Sequence, residues 1–319
     1  MSLSFIGIVL LVVVLVLASF SMEAKAIGAK INVLVTGGAG RTGQLVFTKL
    51  LASEKWNPIA VVRTEKSMQK LMKKTKCAPE NVICSDLLNE AKLTSDFQAA
   101  NAEKMILCTS AVPKIKVRSI IKTLLFKVLR REGGRPEFRF IPNGDPYHVD
   151  FLGASNQFKA AKASGVTQVV VVGSMGGTQP ENFLNSIGKI EGEERSGNIL
   201  LWKRAAEKKL IELCKEGSST DSSGMPSSSS KRMAYTIVHP GGLIDKPGGE
   251  RKIVLGVDDN LLKEEARNIP RGDVAEVCVQ ALDNANALNR AIDIIAIESE
   301  EPTTNWAGFF SQKGNCVYD

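Results

Sequence analysis

The stretch NVLVTGGAGRTGQLVF, Asn32 to Phe47, restricts the fold more than any other part of this chain. Apolar and β-branched residues run directly into a glycine cluster, and apolar residues at helical spacing follow. Such a passage reads as a buried strand, a tight turn and a helix. Gly37, Gly40 and Gly43 satisfy TGxxGxxG, and Gly38, Gly40 and Gly43 satisfy GxGxxG. Either spacing alone is a weak signal; between a strand and a helix it becomes a strong one. Turn residues without side chains tolerate positive φ and let a pyrophosphate reach the backbone. The helix start then offers unpaired N–H groups and a partial positive charge to that anion. The passage predicts a dinucleotide site, with Arg41 and Thr42 inside the loop as further contacts.

The rest of the chain keeps the same rhythm. Short apolar runs at 31–35, 58–62, 81–84, 104–108, 168–172, 235–238 and 291–297 predict strands. Segments 43–51, 66–74, 151–164, 200–213 and 273–282 predict helices. Continuous β-branched runs separated by helices imply a parallel sheet covered on both faces. The expected architecture is α/β, a Rossmann-type doubly wound parallel sheet in a single domain over 29–319. Two segments interrupt it. Lys114 to Phe140 is strongly basic, and Val117, Ile120, Ile121, Leu124, Leu125 and Val128 predict an amphipathic helix over 114–131. Its apolar side either packs on the body or docks on an anionic membrane or a partner protein. Residues 217–232 are Ser-rich and of low complexity, and read as a disordered loop.

Composition narrows the function classes. The net charge is +7, which favours anionic partners without choosing among them. Neither zinc-finger spacing nor an RNP-like aromatic motif occurs, which argues against nucleic acid. The six cysteines form no CxxC pair, and several sit in apolar runs, so they read as buried thiols in a reducing compartment. With only His148 and His239, no His-rich metal site is expected. Residues 3–22 carry no charge and stand outside the fold as a signal h-region or a short membrane anchor, within a separate segment 1–28. Ala24-Lys25-Ala26 offers a small-x-small cleavage site. Ala18 to Phe20, ASF, is similar to the start of plastid-targeting segments in algae with complex plastids. The segment therefore leads to a membrane, the secretory pathway or a plastid if used, and leaves the protein cytoplasmic if not.

Arg63 bears on the choice of dinucleotide. NAD sites commonly end the second strand with Asp or Glu, which binds the ribose 2′-hydroxyl. Here AVVRTEK puts Arg63 in that place. With Arg41 it suits a 2′-phosphate, which guanidinium grips in bidentate fashion. The expected cofactor is NADP(H), while Glu65 leaves room for NAD.

With these residues in view, the chain resembles the atypical short-chain dehydrogenase/reductase family, in particular plant and algal NAD(P)-binding proteins related to NmrA-like and isoflavone-reductase-like members. The likeness runs over most of residues 30–315, through LVTGGAGRTG, SDLLNE, TSAVPK, GGRPEF, VVVGSMGGT, GNILLWKRAAEKKL, HPGGLIDKPGG and IPRGDVAEVCVQAL. It implies roles for matching positions. Asp86 and Leu87 would meet the adenine, and Ser110 and Ala111 would line the ribose and pyrophosphate path. Ser174 matches a catalytic serine, and Lys203 the lysine that holds the nicotinamide ribose. Pro240, Gly241 and Gly242 match the segment that closes over the nicotinamide amide.

The chain departs from the family where it matters for chemistry. YxxxK would put tyrosine four residues before Lys203, and that residue is Ile199. His239 stands where arginine is common, which suggests another phosphate or substrate contact. Tyr147 and His148, in DPYHVD, read as a surface loop, with a place in the pocket as the alternative. Two functions follow: an oxidoreductase on a small carbonyl or quinone, or a dinucleotide-sensing or scaffold protein without turnover.

Overall fold

The computed structural model describes residues 29–116, 118–120, 137–216, 232–299 and 301–318. Strands β1 (Ile31–Thr36), β2 (Trp56–Val62), β3 (Val82–Cys84) and β4 (Lys104–Leu107) alternate with helices α1 (Arg41–Leu51), α2 (Glu65–Thr75) and α3 (Glu90–Ala100). A short antiparallel pair follows, β5 (Lys114–Ile115) with β6 (Phe138–Arg139). A π-helical turn, Tyr147–Gly153, then runs into α4 (Ala154–Ala163). Next come β7 (Gln168–Val172), α5 (Phe183–Ser186), α6 (Ile199–Lys215), β8 (Ala234–Pro240), β9 (Gly242–Ile244) and β10 (Arg251–Gly256). The chain closes with β11 (Asn268–Pro270), α7 (Arg271–Ala281), β12 (Arg290–Glu298) and α8 (Trp306–Ser311).

Eight strands form one sheet in the order β10-β12-β8-β7-β4-β1-β2-β3. All neighbours are parallel except β10 and β12, which run antiparallel at the edge. The winding reverses between β1 and β4, so the ends of these strands open a crevice of the kind that takes ligands in α/β sheets. Because side chains alternate, β1 feeds two cores. Val33 and Val35 join one with Val46, Phe47 and Leu50 of α1, while Leu34 joins the other with Phe158 and Leu210. Each such side chain contributes roughly 1.5–3 kcal/mol by leaving water. This two-sided burial explains why the strand is apolar throughout.

Helix ends follow local chemistry. Thr64 caps α2 by accepting from the Ser67 N–H, and Lys76 ends it at φ 55°. Asn89 caps α3 by accepting from the Lys92 N–H.

The basic segment differs from expectation. Lys114 and Ile115 are strand residues paired with Arg139 and Phe138, and helix occurs only at 118–120 among the described residues. β-pairing with a distant partner overrides the helical spacing at the start of that segment. Residues 1–28, most of the 114–131 span and 217–231 lie outside the described residues. Among the described residues no helix is long and apolar enough to cross a membrane.

Candidate functional site: a glycine cradle and a buried lysine–carboxylate pair

The turn after β1 has the geometry its glycines imply. Gly37 sits at φ 68°, and a Cβ there would lie 2.9 Å from the Cys108 carbonyl carbon. The Gly40 N–H donates to Gly37 O at 2.8 Å. Helix α1 starts at Arg41 with no side-chain cap from Gly40, so its first-turn N–H groups are left for an outside acceptor. Gly43 holds the helix against the turn, since a Cβ would stand 2.3 Å from Gly37 O. Gly43→Ala is therefore expected to weaken dinucleotide binding about tenfold or more, by displacing the cradle, although alanine favours helix by about 1 kcal/mol. Equilibrium titration with NADP+ measures this, and unchanged affinity would rule out the cradle.

The residues expected around the ribose and adenine lie at neighbouring strand ends. Arg63 follows β2, exposed and without an ion pair among the described residues. Arg41 reaches the other way: its Nη1 lies 3.3 Å from Asp245 Oδ2, and Arg271, first residue of α7, meets Asp245 Oδ1 at 2.5 Å. Arg41 and Asp245 are well exposed, so that pair adds little stability. Asp86 accepts from the Leu88 N–H at 3.0 Å, while Leu87 O accepts from Asn156 at 3.1 Å. Ser110 is exposed and Ala111 buried after β4.

Of the two catalytic candidates, Lys203 lines a narrow cavity with Thr109, Asp150, Gly173 and Glu207 among others, and Ser174 follows its Gly173 wall without lining it. Lys203 Nζ lies 2.7 Å from Asp150 Oδ1, whose side chain is wholly buried. Asp150 Oδ2 accepts from the Ala111 N–H at 3.0 Å. This carboxylate thus ties α6 to the exit of β4, and fixes the Lys203 ammonium at the carboxyl end of the sheet. Ser174 follows β7, and its hydroxyl donates to Met175 O at 3.1 Å. Cys108, behind the glycine turn, has its thiol pushed up to about 12 by burial, which removes it as a nucleophile.

Two expectations are revised. His239 makes no surface contact: it is fully buried, with Nε2 3.2 Å from Glu207 Oε2 and Nδ1 3.1 Å from Asp293 Oδ1. Its position inside β8 puts it in register with Asp293 of β12, which closes it off from any phosphate. Cys316 and Tyr318, near the C-terminus, complete that cluster, and Arg204 stacks on the Tyr318 ring at 4.5 Å. Tyr147 and His148 belong to the π-helical turn rather than a loop, half-buried against α6. Pro240 O accepts from the Met175 N–H, while the Gly241 and Gly242 N–H groups donate to Ile294 O and Arg267 O. A Cβ at Gly241 would stand 2.2 Å from Arg267 O, so packing against that carbonyl requires a glycine there.

A family profile described as NAD(P)H-binding matches residues 37–285. The chain belongs to this family. An uncharacterized chloroplastic protein of Arabidopsis thaliana is 39% identical over 297 residues, covering 92% of this chain and 79% of that protein. Sanguinarine reductase of Eschscholzia californica is 35% identical over 294 residues, covering 89% and 96%. Among solved structures, a protein described as an NAD-dependent epimerase/dehydratase of Bacillus halodurans superposes with TM-score 0.55. It is 20% identical and covers 89% of this chain and 100% of that one, a likeness of fold.

In this NAD(P)-binding chain, sequence reasoning missed Asp150, Glu207, Phe151 and Trp202, and named Tyr147 only as an alternative to a surface loop. Asp150 left a readable signal: it is a charge set in the apolar run VDFLGA beside a predicted helix. Glu207 stands one helical turn beyond Lys203, on the same face.

Proposed function

We propose that the protein is an NADP(H)-dependent oxidoreductase acting on a small carbonyl or quinone. The observation that carries this reading is the buried Lys203–Asp150 pair at the carboxyl end of the sheet, on the crevice beside the glycine cradle. The uncapped start of α1 suits a diphosphate, and the Lys203 ammonium suits the nicotinamide ribose hydroxyls. When bound, the reduced nicotinamide supplies a hydride, and the acceptor takes it with one proton from solvent, so that a quinone becomes a hydroquinone. Ser174 polarises the acceptor oxygen, and Lys203 adds positive charge nearby. A quinone needs little help from a protein acid, which fits Ile199 in place of a tyrosine. The reductase named among the relatives supports the class of reaction. Following NADPH absorbance over a quinone panel tests it, and turnover should depend on Lys203 and Ser174.

Arg63 gives the preference for the 2′-phosphate. Arg63→Ala should raise the NADPH dissociation constant roughly 10- to 100-fold, the worth of charge-assisted hydrogen bonds, and leave that for NADH within about threefold. Equal changes for the two would assign Arg63 no part in the choice.

Ile199 also favours a second reading, a dinucleotide sensor or scaffold that binds without turnover. Tight NADPH binding with no oxidation across the panel would select it. The chloroplastic relative supports a plastid location, with residues 3–22 as the targeting or anchoring element. High-salt washing of isolated membranes separates an uncleaved anchor, which stays, from an electrostatic contact through the basic segment, which is released.

A further inference from the structure

Beyond β7 the chain runs Gly173-Ser174-Met175-Gly176-Gly177-Thr178, a turn that belongs to neither helix nor strand. It is fastened all the same. The Gly173 N–H donates to Val238 O at 2.8 Å and the Met175 N–H to Pro240 O at 3.2 Å. A Cβ at Gly177 would stand 2.7 Å from Arg204 Nε, so the guanidinium lies against the bare backbone there. Asp259, which follows β10, supplies the rest. Its Oδ1 accepts from the Gly176 N–H at 2.6 Å, and its Oδ2 accepts from the Thr178 N–H at 2.8 Å and the Thr178 hydroxyl at 2.7 Å. The Asp259 N–H donates to Asp293 Oδ2 at 2.7 Å, so β12 holds its backbone while its side chain holds the turn. Aspartate in a turn ordinarily bonds its own backbone two residues on. Here that local bond falls to Asn260, whose Nδ2 donates to Val257 O at 3.0 Å, and the buried Asp259 carboxylate reaches across the sequence instead. Asp258 and Asp259 also stand side by side at φ 54° and 60°, a conformation costly for residues with a side chain. Such strain persists only where the surroundings impose it, and it collects at functional sites.

We propose that Asp259 is a positioning residue for catalysis, whose carboxylate clamps the turn after β7 and thereby sets the place of Ser174. The inference rests on the oxidoreductase reading and adds to it a residue that touches neither substrate nor cofactor. The two carboxylate oxygens take the main-chain N–H groups of Gly176 and Thr178, so they fix both ends of that stretch. Bonds of this charge-assisted kind are the strong ones. Gly176, at φ 97°, has no side chain to restrain it, so without the clamp the chain two residues beyond Ser174 is free to swing. A shift of about 1 Å in a reacting group can cost about 100-fold in rate.

The test follows oxidation of NADPH by the full-length chain with 2,3-dimethyl-1,4-naphthoquinone, whose blocked ring positions prevent addition to thiols. Asp259→Ala should lower kcat about 10- to 100-fold and leave the NADP+ dissociation constant within about threefold, which also reports the fold. Asp259→Asn keeps one acceptor oxygen and should fall between that variant and the parent. The deciding comparison is a double variant. In a Ser174→Ala background, Asp259→Ala should cost no more than about a further threefold, because residues that act as a unit do not add. Fully additive losses would overturn the assignment and leave Asp259 a strut of the fold, and so would a kcat within about threefold of the parent in Asp259→Ala. Should Asp259→Ala lose NADP+ binding too, the same cycle is run with Asp259→Asn. A parent that binds NADP+ but never oxidises NADPH takes down the oxidoreductase reading and the catalytic role together. Amide hydrogen exchange then still decides the clamp: residues 173–178 should exchange about tenfold faster or more in Asp259→Asn than in the parent, and equal rates would overturn it.

Discussion

Lys203→Ala should lower kcat with NADPH and a quinone by about 100- to 10,000-fold, the usual worth of a positioned charge or proton-handling group. With Ile199 one turn earlier, the YxxxK place holds no tyrosine, so the ammonium carries a larger part than in a site with that tyrosine. A structural role for the pair must be separated from a chemical one. Removing the lysine strands the Asp150 carboxylate, which is out of contact with solvent, and that alone should cost stability. Lys203→Met combined with Asp150→Leu removes both charges together. That double variant should recover much of the thermal stability, since apolar replacements of buried ion pairs are often neutral. Its kcat should remain as low as that of Lys203→Ala. Recovery of turnover together with stability would make the pair a structural strut and remove Lys203 from the chemistry. A kcat within about threefold of the parent in Lys203→Ala would have the same meaning.

The parts of this site differ in how far the sequence foretells them. The glycine turn was fully legible, because each demand on it is local: positive φ at Gly37, close approach at Gly43, and a helix beginning at Arg41. Strands β1, β2, β4, β7, β8 and β12 announce themselves as apolar runs since both faces are covered. Edge strand β10 does not, because RKIVLG is only partly buried and pairs on one side. Helix α3 also escapes notice, with Leu93, Phe97 and Ala100 alone buried in a mixed sequence, although Asn89 is an available capping signal. Asp150, and Phe151 and Trp202 packed beside it, are legible only as oddities. Their meaning comes from a tertiary contact, between the π-helical turn and α6, that joins residues about fifty positions apart. His239 misleads for the opposite reason. Its place before Pro240 and the glycines invites a ligand role, whereas strand alternation turns its ring inward beside Asp293.

That buried histidine gives the second large effect. His239→Ala should lower stability by about 3–5 kcal/mol, because Glu207 and Asp293 would lose the imidazolium between them, with Arg204, 3.7 Å from Glu207, left to offset one of the two charges. At roughly 2–4 °C per kcal/mol, Tm should fall by about 6–20 °C. The effect has a definite pH signature. Burial pushes the His239 pKa down, but the Glu207 charge and the bonds to Asp293, Cys316 and Glu207 outweigh it and hold it well above the ordinary imidazole value. A group raised on folding stabilises fully below its unfolded pKa, near 6.5, and that stabilisation is lost as pH climbs through the raised folded value. Burial pushes Glu207 up, but His239, Arg204 and Lys203 together outweigh it and hold the carboxyl below its ordinary value, so its contribution disappears on the acid side instead. The parent should therefore lose stability on the alkaline side with a slope of up to about 1.4 kcal/mol per pH unit from this one proton. His239→Gln should remove that slope while keeping much of the volume. Denaturant unfolding at a series of pH values from neutral to alkaline measures both curves, and parallel curves would mean that the imidazole is not charged in the fold. The same cluster holds Tyr318 against Glu207 of α6, one turn from Lys203, and Cys316 against Asp293 of β12. Loss of the imidazolium should for that reason also raise KM for the nucleotide, because the helix that carries the site's ammonium loses its anchor to the end of the chain.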